Sequence, residues 1–425
     1  MKRIGYILAA SLCGTVTAAA VVAVSESPLS TRTPELPSIP NRRFLVTNYG
    51  GIGDGKTLNT GAFRNAIDAA AKAGGGTIVV PAGRFVSGPI EIPSNLELQL
   101  AKSATLLMTS NFDDFPVEKD RHRDFITAKK AHDVKISGDG TIDGQGAPWW
   151  VAYRAKRFKS RRPQMIRMTD CERVELVGFS TLNPPNTHCS LGNCSEVTIH
   201  GLTMTAPPDS PNTDALNLSG SNYFIADCKI STGDDNIVLV GRDVNGPTEN
   251  FIITRCSLGF GHGLSIGSHT TGGVRNVQVA YVSFDGTTSG IRMKSSRDRG
   301  GTVENLNYRN IGMRGVKNPI FISSYYPKEP KRPEDDAPQA VGSLTPVWRN
   351  IQIENATIMD SKNSIILWGI PEMPIQDIML KDVKVSAENG MAIYNASDVR
   401  LSQCEVKVKK GPKLATYQAQ VQGVE

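Results

Sequence analysis

VTIHGLTMTAPPDSPNTDALNLSGSNYFIADCKISTGDDNIVLVG, residues 197–241, holds two copies of one plan. Each copy begins with a short alternating run, Val197-Thr-Ile199 and then Phe224-Ile-Ala226. A turn rich in Gly, Pro, Asn and Asp follows, and then an acidic motif, Asn212-Thr213-Asp214 and Gly233-Asp234-Asp235. The run recurs upstream as Val134-Lys-Ile136 and Val174-Glu-Leu176. Downstream it returns as Phe251-Ile-Ile253, Val277-Gln-Val279, Leu306-Asn-Tyr308, Ile351-Gln-Ile353, Ile378-Met-Leu380 and Val399-Arg-Leu401. From Val174 to Leu306 the intervals are 23, 27, 27, 26 and 29 residues. Alternation over about five positions, ended by turn formers, is the signature of a strand with one buried face.

A single coil of such strands cannot bury its own apolar face, whereas coils stacked in register share a continuous core. The pattern therefore predicts an all-β, single-stranded, right-handed parallel β-helix. A sandwich would join neighbouring strands by tight hairpins, but here whole coils separate them. The 40 glycines and the scarcity of helical stretches agree. Residues 60–73, TGAFRNAIDAAAKA, carry Phe63, Ile67 and Ala70 at helical spacing before Gly74-Gly75-Gly76, which predicts a short amphipathic helix capping the apolar end.

The ends of the chain fit export. Residues 1–24 combine Lys2 and Arg3 with an apolar run and small residues near Ala18 to Ala23, the pattern of a signal peptide, with an uncleaved anchor as the alternative. Residues 25–43, with Pro28, Pro34, Pro37 and Pro40, predict an extended linker, and residues 44–425 one solenoid domain. Loss of Lys2 and Arg3 lowers the net charge from +6 to +4, compatible with an anionic ligand without identifying one. Gly51 to Lys56 lacks phosphate-loop spacing and is read as a turn. Cys189 and Cys194 are spaced for a disulfide, while Cys228 and Cys256 fall where thiols pack in a core. No metal-binding pattern is present in the sequence.

Four motifs then follow one another at about the repeat interval: Asn212-Thr213-Asp214, Gly233-Asp234-Asp235, Gly261-His262-Gly263 and Arg292-Met293-Lys294. Stacked coils lie about 4.8 Å apart, so four consecutive coils span on the order of 14 Å, a few sugar rings. Taken singly, each motif has a plain structural reading as a turn or a solvated strand face. Taken together they supply what hydrolysis of an acidic sugar polymer needs. One carboxylic acid protonates the leaving oxygen, another carboxylate activates water or attacks, and cations hold the sugar's own charge. Crowding of the three carboxylates raises at least one pKa, and His262 can tune the acid.

The segments PPDSPNTDALNLSG, STGDDNIVLVG, GFGHGLSIGS, SGIRMKS and VKNPIFISSYY resemble glycoside hydrolase family 28, the polygalacturonases and their relatives, from about Phe44 to the last repeats. The resemblance implies a pectin-lyase-like solenoid and cleavage of α-1,4-galacturonosyl bonds of homogalacturonan with inversion, without metal or cofactor. It implies Asp234 as general acid, Asp214 and Asp235 as the pair activating water, and His262 as the group supporting the acid. Arg292 and Lys294 would hold the substrate carboxylate. Tyr326 would touch substrate, with Tyr325 as the substitute, and His188 and Asn212 would line the cleft. Ala215 stands where the family usually has Gly, and Asn236 where it often has Cys. Relatives acting on rhamnogalacturonan carry Glu for the second Asp and lack the His, so this chain favours homogalacturonan.

Other readings stay open: a hydrolase of rhamnogalacturonan or xylogalacturonan, a pectate-lyase-type enzyme cutting by elimination, or a carbohydrate-binding solenoid without turnover. The expected partner is an acidic polysaccharide rather than nucleic acid, bound by a secreted monomer without lasting membrane insertion. Six basic residues between Arg154 and Arg162, after Trp149-Trp150, are a solvated face or a polyanion-attracting flank with Trp as a stacking surface. The Lys407, Lys409, Lys410 and Lys413 run reads as a soluble end, and residues 111–130 and 327–345 as loops beside the cleft.

Overall fold

The computed structural model describes residues 32–243 and 246–423; the expected signal peptide and the start of the linker lie outside them. Strands pair with the strand one coil earlier and one coil later, in parallel, so that three sheets run the length of the chain. Each sheet points one column of side chains inward. In the first sheet Val134, Val174, Val197, Tyr223, Phe251, Val277, Leu306, Ile351 and Ile378 stand in register. In the second, Ile142, Thr181, Met204, Ile230, Leu258, Phe284, Met313 and Ile358 do so. In the third the column is Ile126, Ile166, Cys189, Leu216, Ile237, Leu264, Ile291, Ile320 and Ile365. These columns are almost wholly apolar and closed to solvent, and they form the single core of a right-handed parallel β-helix.

One repeat lies a residue away from its expected position. Val197 pairs with Tyr223, which is 1% exposed, while Phe224 is half-buried on the outside, and the intervals across it are 26 and 28 residues. Two adjacent aromatics leave the alternation without a phase, and a one-residue slip exchanges inside for outside. Packing selects Tyr223: its ring stacks on Phe251 with centroids 4.3 Å apart and planes at 8°, and its hydroxyl donates to Ser219 O at 2.9 Å.

Each coil must turn sharply where the first sheet begins, and the chain does so on one left-handed residue. Asn222, Asn250, Asn276, Asn305 and Asn350 occupy this corner on successive coils with φ of 60°, 61°, 57°, 58° and 51°. Asparagine tolerates that conformation better than other residues with a Cβ. Its side chain then repeats the backbone's ladder. From Asn250 onward each Nδ2 donates to Oδ1 of the asparagine one coil before, at 3.1, 3.1, 3.2 and 2.8 Å. At the lower end Asn222 donates to Glu196 Oε1 at 2.8 Å.

The first helix, α1 (Thr60–Lys72), buries Ala62, Phe63, Ala66, Ile67 and Ala70 over the first coil. It stops at Gly75, whose φ of 120° and whose approach to Asn95 O, 2.5 Å from an added Cβ, leave no room for a side chain. The proline-rich segment is extended, but it is laid along the cylinder: Glu35 N donates to Glu196 Oε2 at 2.8 Å and Ser38 N to Asp133 Oδ1 at 2.9 Å. The expected turn before Lys56 instead runs into a strand, Asp54–Leu58, irregularly paired with Gly83–Ser87, in which Asp54 accepts from the backbone N–H groups of Lys56 and Thr57.

Several expectations need correction. The second helix, α2 (Ala147–Arg154), turns Trp149 and Trp150 into the protein, 0% and 7% exposed, so neither offers a stacking surface. Arg162 is buried rather than solvated. Cys189 and Cys194 are free thiols on one strand, Cys189–His200. The C-terminal lysines are solvent-exposed, as expected, on a strand, Glu405–Gln422, that pairs with the preceding coil. No helix among the described residues is long and apolar enough to cross a membrane.

Replacing Asn276 by Ala removes two rungs of the ladder and leaves a Cβ-bearing residue at positive φ. We expect a loss of about 1–3 kcal/mol in denaturant unfolding, with Asn276→Gly losing less because glycine keeps the backbone relaxed.

Candidate active site

The third sheet builds the site. Leu216, Ile237, Leu264 and Ile291 are in register on four consecutive rungs. Asp214, Asp235 and His262 each precede one of the first three by two residues, and Arg292 and Lys294 follow Ile291 on the fourth. The ladder extends into these loops: Ala215 N donates to Asp235 O at 2.9 Å and Asn236 N to Gly263 O at 3.1 Å. Asp214, Asp235 and His262 therefore hold equivalent places about 4.8 Å apart along the axis, and Asp234 stands beside them. Asn236 shapes the histidine turn, accepting from Gly263 N at 2.8 Å and donating to Phe260 O at 3.1 Å.

Asp235 is the most constrained of the three acids, with a side chain 6% exposed. Its Oδ1 accepts from Ser265 Oγ at 2.6 Å and Arg292 Nη1 at 3.2 Å, and its Oδ2 from Lys294 Nζ at 2.9 Å. Asp234 is more open, 24% exposed, with His262 Nδ1 3.1 Å from its Oδ1. Burial alone would raise the Asp234 carboxyl, but the His262 contact, Lys294 and the backbone N–H of Asp235 outweigh it and hold the pKa below its ordinary value. Asp214 goes the other way. Burial, reinforced by the charges of Asp234 and Asp235, pushes it up to about 8, against a 3.0 Å hydrogen bond from Asn217 Nδ2. The raised value favours the protonated form of Asp214 at neutral pH, while the lowered one favours the ionised form of Asp234.

The remaining expected residues separate into two groups. Tyr326 lies in the groove with its ring 5.6 Å from Lys294 Nζ. Tyr325 turns away and donates its hydroxyl to Asp336 Oδ2 at 2.7 Å, which leaves Tyr326 as the tyrosine facing the cations. Asn212 is exposed, at a left-handed corner with φ of 57°, and its Oδ1 accepts from Arg162 at 2.8 Å. His188 does not reach the cleft. It is 0% exposed, its Nδ1 is 2.8 Å from the lumen-facing Thr181 hydroxyl, and burial lowers its pKa to about 3. A histidine following Pro-Pro-Asn-Thr carries no sign of which way its strand faces, and here it faces inward.

No motif in the sequence marks Ser265, Asn217 or Arg162. Asn217, Val238, Ser265 and Arg292 form one outward column, so exact register would have exposed the first two. Arg162 binds Pro185 O, Pro211 O and Asn212, fixing the loop that carries Asp214. Asp234, Asp235 and His262 lie close enough to suggest a metal cluster. However, both oxygens of Asp235 are already engaged, and the charges of Arg292 and Lys294 oppose a cation there.

Acid–base cleavage of a glycosidic bond is the chemistry this set can perform, which defines the class as a glycoside hydrolase. The chain belongs to the glycosyl hydrolases family 28, whose model matches residues 72–408. It is 31% identical over 366 residues to a probable polygalacturonase of Vitis vinifera, covering 80% of this chain and 73% of that one. It is also 31% identical over 335 residues to an endo-polygalacturonase of Pectobacterium parmentieri, covering 74% and 80% respectively. Among solved structures, the polygalacturonase from Erwinia carotovora ssp. carotovora superposes with a TM-score of 0.75 at 28% identity, covering 89% of this chain and 99% of that one.

A carboxyl whose folded pKa is raised stabilises the protein fully below its unfolded value near 4, and that stability is lost as pH rises through about 8. Asp214→Asn mimics the neutral form. We expect it to raise the melting temperature at pH 8 and to change it little at pH 4; an equal shift at both values would contradict the assignment.

Proposed function

We propose that this protein hydrolyses α-1,4-galacturonosyl bonds of homogalacturonan, with inversion. The observation that carries the reading is the meeting of Asp214, Asp234, Asp235 and His262 in one groove, beside Arg292 and Lys294. Beyond its role as counter-ion to Asp235, Arg292 is 20% exposed and keeps further N–H groups that a uronate carboxylate can occupy.

Asp234 acts as the acid. It is more open than Asp235 and stands beside His262. Sugar entering the groove displaces water from Asp234, which favours its protonated form, and Asp214 in its ionised form joins Asp235 in activating water. A second reading, with Asp214 as the acid, is favoured by the raised pKa of its carboxyl. The two differ in leaving-group dependence: a galacturonide with an activated aryl leaving group needs no protonation and rescues only the variant lacking the acid. Export by residues 1–24 completes the proposal, since a pectic polymer lies outside the cell; N-terminal sequencing of protein from the culture medium should begin beyond residue 24.

Asp234→Asn should lower kcat on polygalacturonate by about 10²–10⁴ without loss of fold, read as reducing ends with no ultraviolet-absorbing product and no response to chelator. Wild-type turnover in that variant would discard the role, and an unsaturated product would move the enzyme to the lyases. Arg292→Ala should mainly raise KM. Lys294→Ala should also lower kcat, because it removes the cation on buried Asp235 Oδ2.

A further inference from the structure

A second set of cations stands on the other side of the acids from Arg292 and Lys294. Arg167 belongs to the same outward column as Asn217 and Arg292, two rungs before Asn217, or about 10 Å along the axis. Arg121 and Arg161 face each other across a β-bridge at the foot of this column, where the small hairpin of Val117–Glu118 and Arg121–His122 meets the segment after α2. Arg242 reaches toward the same place from the loop after the Asp234 rung, within electrostatic range of Asp214, Arg161 and Arg167.

The four guanidiniums outnumber the carboxylates that face them. Buried Asp124 lies 3.3 Å from Arg167 and 3.8 Å from Arg121, and its other demand is met by Gln164 N at 2.7 Å. Exposed Asp120 lies 3.3 Å from Arg161. Among the described residues no carboxylate is in ion-pair contact with Arg242, which is exposed. Arg121 is held below the ordinary arginine value, first by burial and then by Arg167 and Arg161, partly offset by Asp124 and Asp120. Like charges gathered beside a groove at this cost are relieved by an anion.

We infer that Arg121, Arg161, Arg167 and Arg242 form a second uronate subsite, which takes the free carboxylate of a sugar on the far side of the scissile bond from Arg292. The inference rests on the proposed galacturonan substrate. With cations at both ends of the acids, the groove reads two free carboxylates flanking the cut, and a methyl ester at the second position removes the charge that these arginines bind.

Arg161→Gln combined with Arg242→Gln is the informative variant. Both residues are exposed, and neither replacement strands Asp124, as loss of Arg167 would. On a long oligogalacturonate, KM should rise about tenfold at low salt with kcat kept, and the difference should shrink as salt rises. On an oligomer too short to span from the scissile bond to the cluster, variant and wild type should coincide. Unchanged KM on the long substrate in a folded variant, or equal changes on both lengths, would overturn the subsite. Calorimetric binding of galacturonate oligomers separates this from the parent reading. If the wild type binds but does not cut, the hydrolase assignment fails while weaker binding by the variant still supports the subsite; equal binding by the two proteins would reject it.

Discussion

The left-handed corner residue at the start of the first sheet sets everything else. A coil that turned there on a residue with free rotation would let the next strand start one position early or late, and a shift of one exchanges lumen for surface. The asparagine column prevents this by bonding each corner to the one below it, from Asn222 on Glu196 up to Asn350. The backbone ladder fixes strand direction, while the amide ladder fixes phase. Because phase is held, Asp214, Asp235 and His262 stand above one another instead of scattering around the cylinder.

That alignment has an electrostatic cost, and the site is arranged around it. Three acids spaced by rungs repel one another, and burial adds to the penalty. Asp235 is stabilised by Lys294 and Arg292 and Asp234 by His262, while the raised pKa of Asp214 favours its neutral form. The two cations expected to serve substrate are thus first of all counter-ions within the cluster, and only Arg292 keeps unused donors toward the groove. Lys294, 8% exposed, serves the trio, and Tyr326 lies over it.

Much of this was legible in the sequence because a solenoid writes its geometry as a period. The repeat gave the helix, its capping α1 and the four rungs of the site. What escaped were features that period does not encode. Tyr223 and Phe224 are both suited to a core, and only the stacked ring of Phe251 chooses between them. His188 and Thr181 satisfy each other inside the lumen, a polar pairing that an apolar-inside rule cannot anticipate. Trp149 and Trp150 fall on a short helix whose buried side depends on the loops around it, and Arg162 finds its carbonyl partners on the next two coils, distant in sequence.

The hairpin within residues 111–130 and the segment 327–345 lie outside the amide ladder and the strand register. The second is fastened from outside, with Arg297 clasping Asp336 and Glu372. Length changes there leave the cylinder's phase untouched, whereas one residue gained or lost within a paired strand would exchange its inside for its outside. The barrel and its walls are therefore free to drift at different rates over generations: mutation can lengthen, shorten or recharge the mouth of the groove, and so retune which polymers enter, while the machinery beneath is inherited unchanged.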